Sequence, residues 1–184
     1  PVILLDLKEL TMGEDTTYEF FLSRIKKVLR DLYIHHDIIL ESPMIRDSDK
    51  RLFRDIMGMR ADEGILVDAV RDLSRILFEC YGNRVVVLID EYDQAIMQTF
   101  GHDIQKRVLG FLRGMLSSAL KSNQYLQMAY VTGVMQVAKA DIFSGLNNLS
   151  VNDVFSTRSD ERFGFTEKEV KSILSYYGHP EKFS

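Results

Sequence analysis

The chain has 184 residues, 46% of them hydrophobic and 27% charged, which is enough for one domain with a sizeable core and unlike a disordered segment. A formal net charge of -4 supplies no global attraction to nucleic acid, so such a partner would need a local basic patch. The single cysteine, Cys80, excludes an internal disulfide framework and a multi-cysteine zinc site, and no apolar run reaches the length of a membrane span, so a soluble cytoplasmic protein is expected.

Residues 2–7, VILLDL, form an apolar β-rich run of the kind buried on both faces of a parallel sheet. The chain enters this run directly from Pro1, with no methionine and no signal-like segment before it, and is expected to be a piece of a longer protein. After a polar turn through Gly13 and Asp15, Thr16 and Glu19 have capping-box spacing, and Phe21, Ile25, Val28, Leu29 and Leu32 recur at helical intervals. Lys26, Lys27 and Arg30 fall on the solvated side of that helix. His35 and His36 stand near its end, where the helix dipole favours positive charge. Residues 41–61 are polar and carry Pro43 and Gly58, with a short helix expected around Lys50 to Met57.

From Asp62 a further helix is predicted on Leu66, Ala69, Val70, Leu73, Leu77 and Cys80, with Gly82 placed for a left-handed cap. Residues 84–89 have no polar face and point to a central strand of a parallel sheet. A helix over about residues 103–121 follows, with Ile104, Val108, Phe111, Leu112, Met115 and Ala119 inward. The apolar run 126–131 then stops at Thr132-Gly133. Strand, helix, strand, helix, strand is an α/β layout with right-handed crossovers. Residues 134–160 read as irregular, and order restarts at Thr166, which has a second capping-box partner in Glu169. Val170, Ile173, Leu174 and Tyr177 form the apolar stripe of that last helix, which Gly178 and Pro180 stop.

The stretch RVVVLIDEYD at 84–93 ends a greasy strand in three acids. In open parallel sheets, ligands gather at the carboxyl ends of the strands. An aspartate there, Asp90, can bind a hard divalent cation directly or through water. Glu91, one position on, could polarise a water for attack on a phosphate, and Asp93 would lie in the following turn. Thr132 ends the third strand with a hydroxyl that could meet a phosphate or the attacking water. Solvated loop acids after a core strand, and an ordinary strand-ending turn before Gly133, would give the same letters.

LIDEYD at 88–93, VTGV at 131–134, FSGLNNL at 143–149 and FGFTEKEV at 163–170 stand in the order and rough spacing of a known family. Together with the opening PVILLD they cover almost the whole chain, and they resemble the prokaryotic AAA-ATPase-like family. Many members of that family carry a PD-(D/E)XK nuclease-like domain further on; if this protein has one, it is expected beyond Ser184. The resemblance implies a three-layer α/β/α P-loop NTPase-type parallel sheet, incomplete here, over residues 1–160, with the start of a helical lid over 161–184. It implies ATP and magnesium as cofactors, with Asp90 as the Walker-B aspartate that holds magnesium through water. Glu91 would be the catalytic glutamate and Thr132 the sensor-1 residue. Lys139, Ser144 and Asn147 lie in matching motifs without an assignable role.

The chain departs from that pattern in one respect: no Gly-Lys pair occurs in it, so it has no G-x-x-x-x-G-K-[ST] loop to cradle phosphates. The family places that loop upstream. The chain alone is therefore expected to bind and hydrolyse ATP poorly, and residues 126–131 are expected to form an open apolar edge that invites self-association or a partner strand. Two other readings compete. A metal-dependent nuclease could use the acid-x-Lys triplets Asp6-Leu7-Lys8 or Glu169-Val170-Lys171. A non-catalytic scaffold of the same fold could serve regulation or protein interaction. No histidine pair has the spacing of a helical zinc site.

Overall fold

The computed structural model describes residues 1–11, 13, 17–134, 149–152 and 164–182. The chain divides into two compact units, Pro1–Asn147 and Asn148–Ser184; the expected boundary between residues 160 and 161 lies outside the described residues.

The first unit is an α/β fold on a parallel sheet, as expected. Strands β1 (Val2–Asp6), β2 (Val85–Asp90) and β3 (Leu126–Val131) lie in the order β1-β2-β3, both pairings parallel. Between the strands run α1 (Tyr18–His35), a 3-10 turn (Asp37–Glu41), α2 (Asp47–Met57), α3 (Glu63–Tyr81), α4 (Gln94–Gln98) and α5 (Gln105–Leu120).

The helices start and stop for local reasons. Thr17 caps α1 by accepting from the Phe20 amide at 3.2 Å, whereas the expected cap Thr16 lies outside the described residues. Asp62 caps α3 by accepting from the Ile65 amide at 3.0 Å, and Gly82 ends α3 at φ 70, a conformation in which a β-carbon is costly. The α2 helix starts three residues before the expected Lys50, and α4 is an element the periodicity does not announce. At the end of α1, burial first and then the charges of His35 and the amino terminus hold the His36 pKa below its usual value. That favours the neutral ring, so the expected favourable charge on the helix dipole does not apply to His36.

One face of the sheet makes the core. Ile3, Leu5, Val85, Val87 and Ile89 are essentially inaccessible and pack with Phe21, Ile25, Leu29, Leu73, Leu77, Phe111 and Leu112 from α1, α3 and α5. Each such side chain contributes about 1.5–3 kcal/mol on burial. Polar ties lock the helices together: the Tyr33 hydroxyl donates to the Ala69 carbonyl at 2.8 Å, and Arg75 pairs with the buried Asp49 at 2.7 Å. Arg107 stacks on the Tyr18 ring, whose hydroxyl donates to Glu63 at 2.7 Å.

The other face differs from the sequence expectation. Val2 (52% exposed), Leu4 (59%), Met128 (43%) and Tyr130 (58%) are open, and Val86 and Leu88 are half-buried. The apolar runs predict strands covered on both sides; of the two helical layers of an α/β/α sandwich, the described residues supply one. Side chains alternate between faces along a strand, so one register carries the core and the other carries an apolar surface of the same composition.

The second unit holds α6 (Glu167–Tyr176), introduced by Thr166. Its capping box is complete, as the spacing predicts: the Thr166 hydroxyl accepts from the Glu169 amide, and the Glu169 carboxylate accepts from the Thr166 amide at 2.8 Å. Phe165, Ile173, Tyr176 and Tyr177 are exposed.

Candidate functional site at the carboxyl ends of the strands

The parallel register decides which side chains meet. Leu5 pairs with Ile89 and Asp6 with Asp90, while Ile89 pairs with Val131. The next residue along β3 is Thr132, whose amide donates to the Ile89 carbonyl at 2.9 Å. Asp6, Asp90 and Thr132 thus share the carboxyl edge of the sheet and its exposed register.

Asp90 and Thr132 are in direct contact: the Thr132 hydroxyl donates to Asp90 Oδ1. The same oxygen accepts from the Glu91 amide at 3.1 Å. Among the described residues Asp90 Oδ2 has no hydrogen-bond partner, and Asp90 is exposed. One oxygen is therefore held by the protein while the other faces outward.

Glu91 leaves the strand at φ 52. A non-glycine residue in the left-handed region is uncommon and is characteristic of sites that aim a side chain against backbone preference. The turn it opens is closed by the Gln94 amide donating to the Glu91 carbonyl at 3.1 Å. The Glu91 carboxylate makes no hydrogen bond or ion pair among the described residues.

The next two residues turn inward. Tyr92 is buried (7% exposed), and burial together with the charge of Asp93 pushes its hydroxyl pKa up to about 12. Its amide donates to the Thr132 carbonyl at 3.1 Å. Asp93 is 1% exposed and accepts from the Val134 amide at 2.8 Å. The sequence places Asp93 in the turn but does not announce its burial; its partner lies 41 residues away, and no local pattern encodes such a contact.

The carboxylates of both acid-x-Lys triplets are engaged in local backbone contacts. Asp6 Oδ1 accepts from the backbone amide of Lys8 at 2.9 Å and closes a turn. The Glu169 carboxylate is spent on the Thr166 cap, and those hydrogen bonds lower its pKa. Lys139, Ser144 and Asn147 lie outside the described residues. Among the described residues no group of three or more His, Cys, Asp or Glu side chains is arranged to hold a metal ion, and no helix is long and apolar enough to cross a membrane.

Acids and a hydroxyl at the carboxyl edge of an open parallel α/β sheet stand where such folds gather their ligands, and the fold is consistent with part of a P-loop NTPase-like sheet. A model of the family described as predicted AAA-ATPase matches residues 1–143, and the chain belongs to that family. It is also similar to the "Uncharacterized protein in vnfD 5'region" of Azotobacter chroococcum mcd 1, with 36% identity over 95 residues. That match covers 51% of this chain and 18% of the Azotobacter protein, so the chain corresponds to a minor part of its relative's length. No solved structure matches it.

Proposed function

We propose that this chain supplies the water-activating and magnesium-orienting side of an ATPase site, with Glu91 and Thr132 acting on the reaction and Asp90 on the cation. The observation that supports it most is the juxtaposition at one sheet edge: Asp90 bonded to Thr132, and beside them a glutamate whose carboxylate is uncommitted. The donor set fits magnesium. Asp90 offers one outward oxygen rather than an all-protein cage, and magnesium keeps several waters and takes few carboxylates alongside phosphate oxygens. Bound there, the ion would neutralise charge developing on the phosphates.

The chain's own residues then have distinct tasks. Glu91 accepts the proton of the attacking water, for which it needs an accessible, ionised carboxylate. Thr132, fixed by its bond to Asp90, keeps that carboxylate in one orientation and presents its hydroxyl oxygen to the water. No phosphate-cradling Gly-Lys loop occurs in this sequence, so turnover is assigned to the whole protein that carries this chain, and the chain by itself is expected to bind ATP weakly.

The test is Glu91→Gln in the whole protein. Turnover should fall by about 10²–10³-fold, the size of effect seen when a principal group is removed, while magnesium-dependent ATP affinity stays within about threefold. A wild-type protein with no ATP turnover, or a variant that keeps it, would overturn the reading; the former would favour a scaffold of the same fold.

A second reading, compatible with the first, concerns partners. β3 is an edge strand, and Met128 and Tyr130 on it are open. An apolar edge of this kind supports association with another strand, from a second copy or from a further segment of the protein.

A further inference from the structure

The third acid of LIDEYD has no part in the reaction as proposed, yet it is the most deeply buried of the three. Taking a carboxylate out of water is costly, and an ordinary turn could be closed by a neutral side chain with far less penalty. Its surroundings indicate what that cost maintains.

Backbone amides join residues 89–93 and 132–134 at three successive points. The Thr132 amide donates to the Ile89 carbonyl at 2.9 Å, the Tyr92 amide to the Thr132 carbonyl at 3.1 Å, and the Val134 amide to Asp93 Oδ2 at 2.8 Å. The last is charge-assisted and the strongest in kind. Between them lies Gly133, where a β-carbon would collide with the Tyr92 ring and come within 2.8 Å of Asp93 Oδ1. Only glycine lets the two segments approach this closely. The pair Asp90 and Glu91 sits inside this fastening, with Thr132 bonded across it.

We propose that Asp93 is a positioning residue, a buried latch that holds the turn carrying Glu91 against the loop that follows Thr132, so that both strand ends of the site move as one. Its kinetic consequence rests on the ATPase reading; its structural consequence rests on the geometry alone. Asp93 touches neither water nor phosphate in this scheme. It sets the distance between Glu91 and Thr132.

Amide hydrogen exchange and steady-state turnover on the whole protein and its Asp93→Asn variant test the latch. The variant keeps the shape and weakens the charge-assisted bond. Exchange at Val134 and Thr132 should accelerate by about tenfold or more, while Val87 in the centre of β2 stays unchanged. In the same variant kcat should fall by about tenfold or more with ATP affinity within about threefold, the pattern of a lost transition-state geometry. Gly133→Ala, which forces the same segments apart from the other side, should reproduce both effects if Asp93→Asn fails to fold. When both fold, kcat of the double variant should match that of the poorer single one to within about twofold. Unchanged exchange at Val134 overturns the latch, whatever the activity. Equal acceleration at Val87 also overturns it, because Asp93 would then hold the whole fold rather than the site. A wild type without ATP turnover sinks the ATPase reading instead, and the exchange result still decides the latch.

Discussion

Glu91 adopts φ 52, where the β-carbon of an L-residue crowds the following carbonyl at a cost of roughly 1–2 kcal/mol. Its neighbours over-determine that conformation: Asp90 accepts its amide, Gln94 donates to its carbonyl, and Tyr92 is tied to Thr132. Strain of this kind persists at functional sites because it aims a side chain. Replacing Glu91 with glycine should therefore relieve it, whereas glutamine should not. Glu91→Gly should be more stable to urea than Glu91→Gln by about 0.5–1 kcal/mol, once the extra unfolded-state freedom of glycine is subtracted. Both should lack turnover. Equal urea midpoints for the two variants would mean the turn stores no strain.

The helices show how far local signals carry. α3 begins at Asp62 and ends at Gly82 where capping chemistry places it, and the α6 capping box is complete. α4 escapes a sequence reading because five residues make little more than one turn, too short for a periodicity. At the end of α1 the letters suggest a helpful positive charge, but burial is a tertiary property and it reverses the expectation for His36. Its lowered pKa makes a pH prediction. Between the depressed native value and about 6.5 in the unfolded chain, the unfolded state binds more protons, so stability is lost as pH falls through that interval. Urea midpoints should drop between about pH 7.5 and 5.5, and His36→Gln should flatten that slope. An unaltered slope in the variant would assign the effect to other groups.

At the scale of the molecule, the apolar strands present two faces and the described helices cover one. Val2 and Leu4 on β1 and Met128 and Tyr130 on β3 remain open, an apolar surface of the kind that marks an interaction site. The isolated chain should self-associate. Multi-angle light scattering should show a mass that grows with concentration, and Met128→Lys with Tyr130→Lys should return it to a monomer, since charge on an edge strand opposes pairing. A wild-type chain that stays monomeric at high concentration would remove the edge from consideration as a binding surface.

The amino-acid sequence by itself determined the order of the strands and the longer helices, the α/β class, and the positions of Asp90, Glu91 and Thr132 at strand ends. Those features are written in short-range hydrophobic periodicity, capping residues and abrupt changes from apolar to acidic letters. Only the tertiary structure decided that Asp90 bonds to Thr132, that Glu91 is held in a left-handed turn, that Asp93 is buried against Val134, and that the described helices cover one sheet face. Each of these depends on chain segments tens of residues apart coming into register, and on which surfaces another layer covers. Neighbouring residues in a sequence carry no record of either.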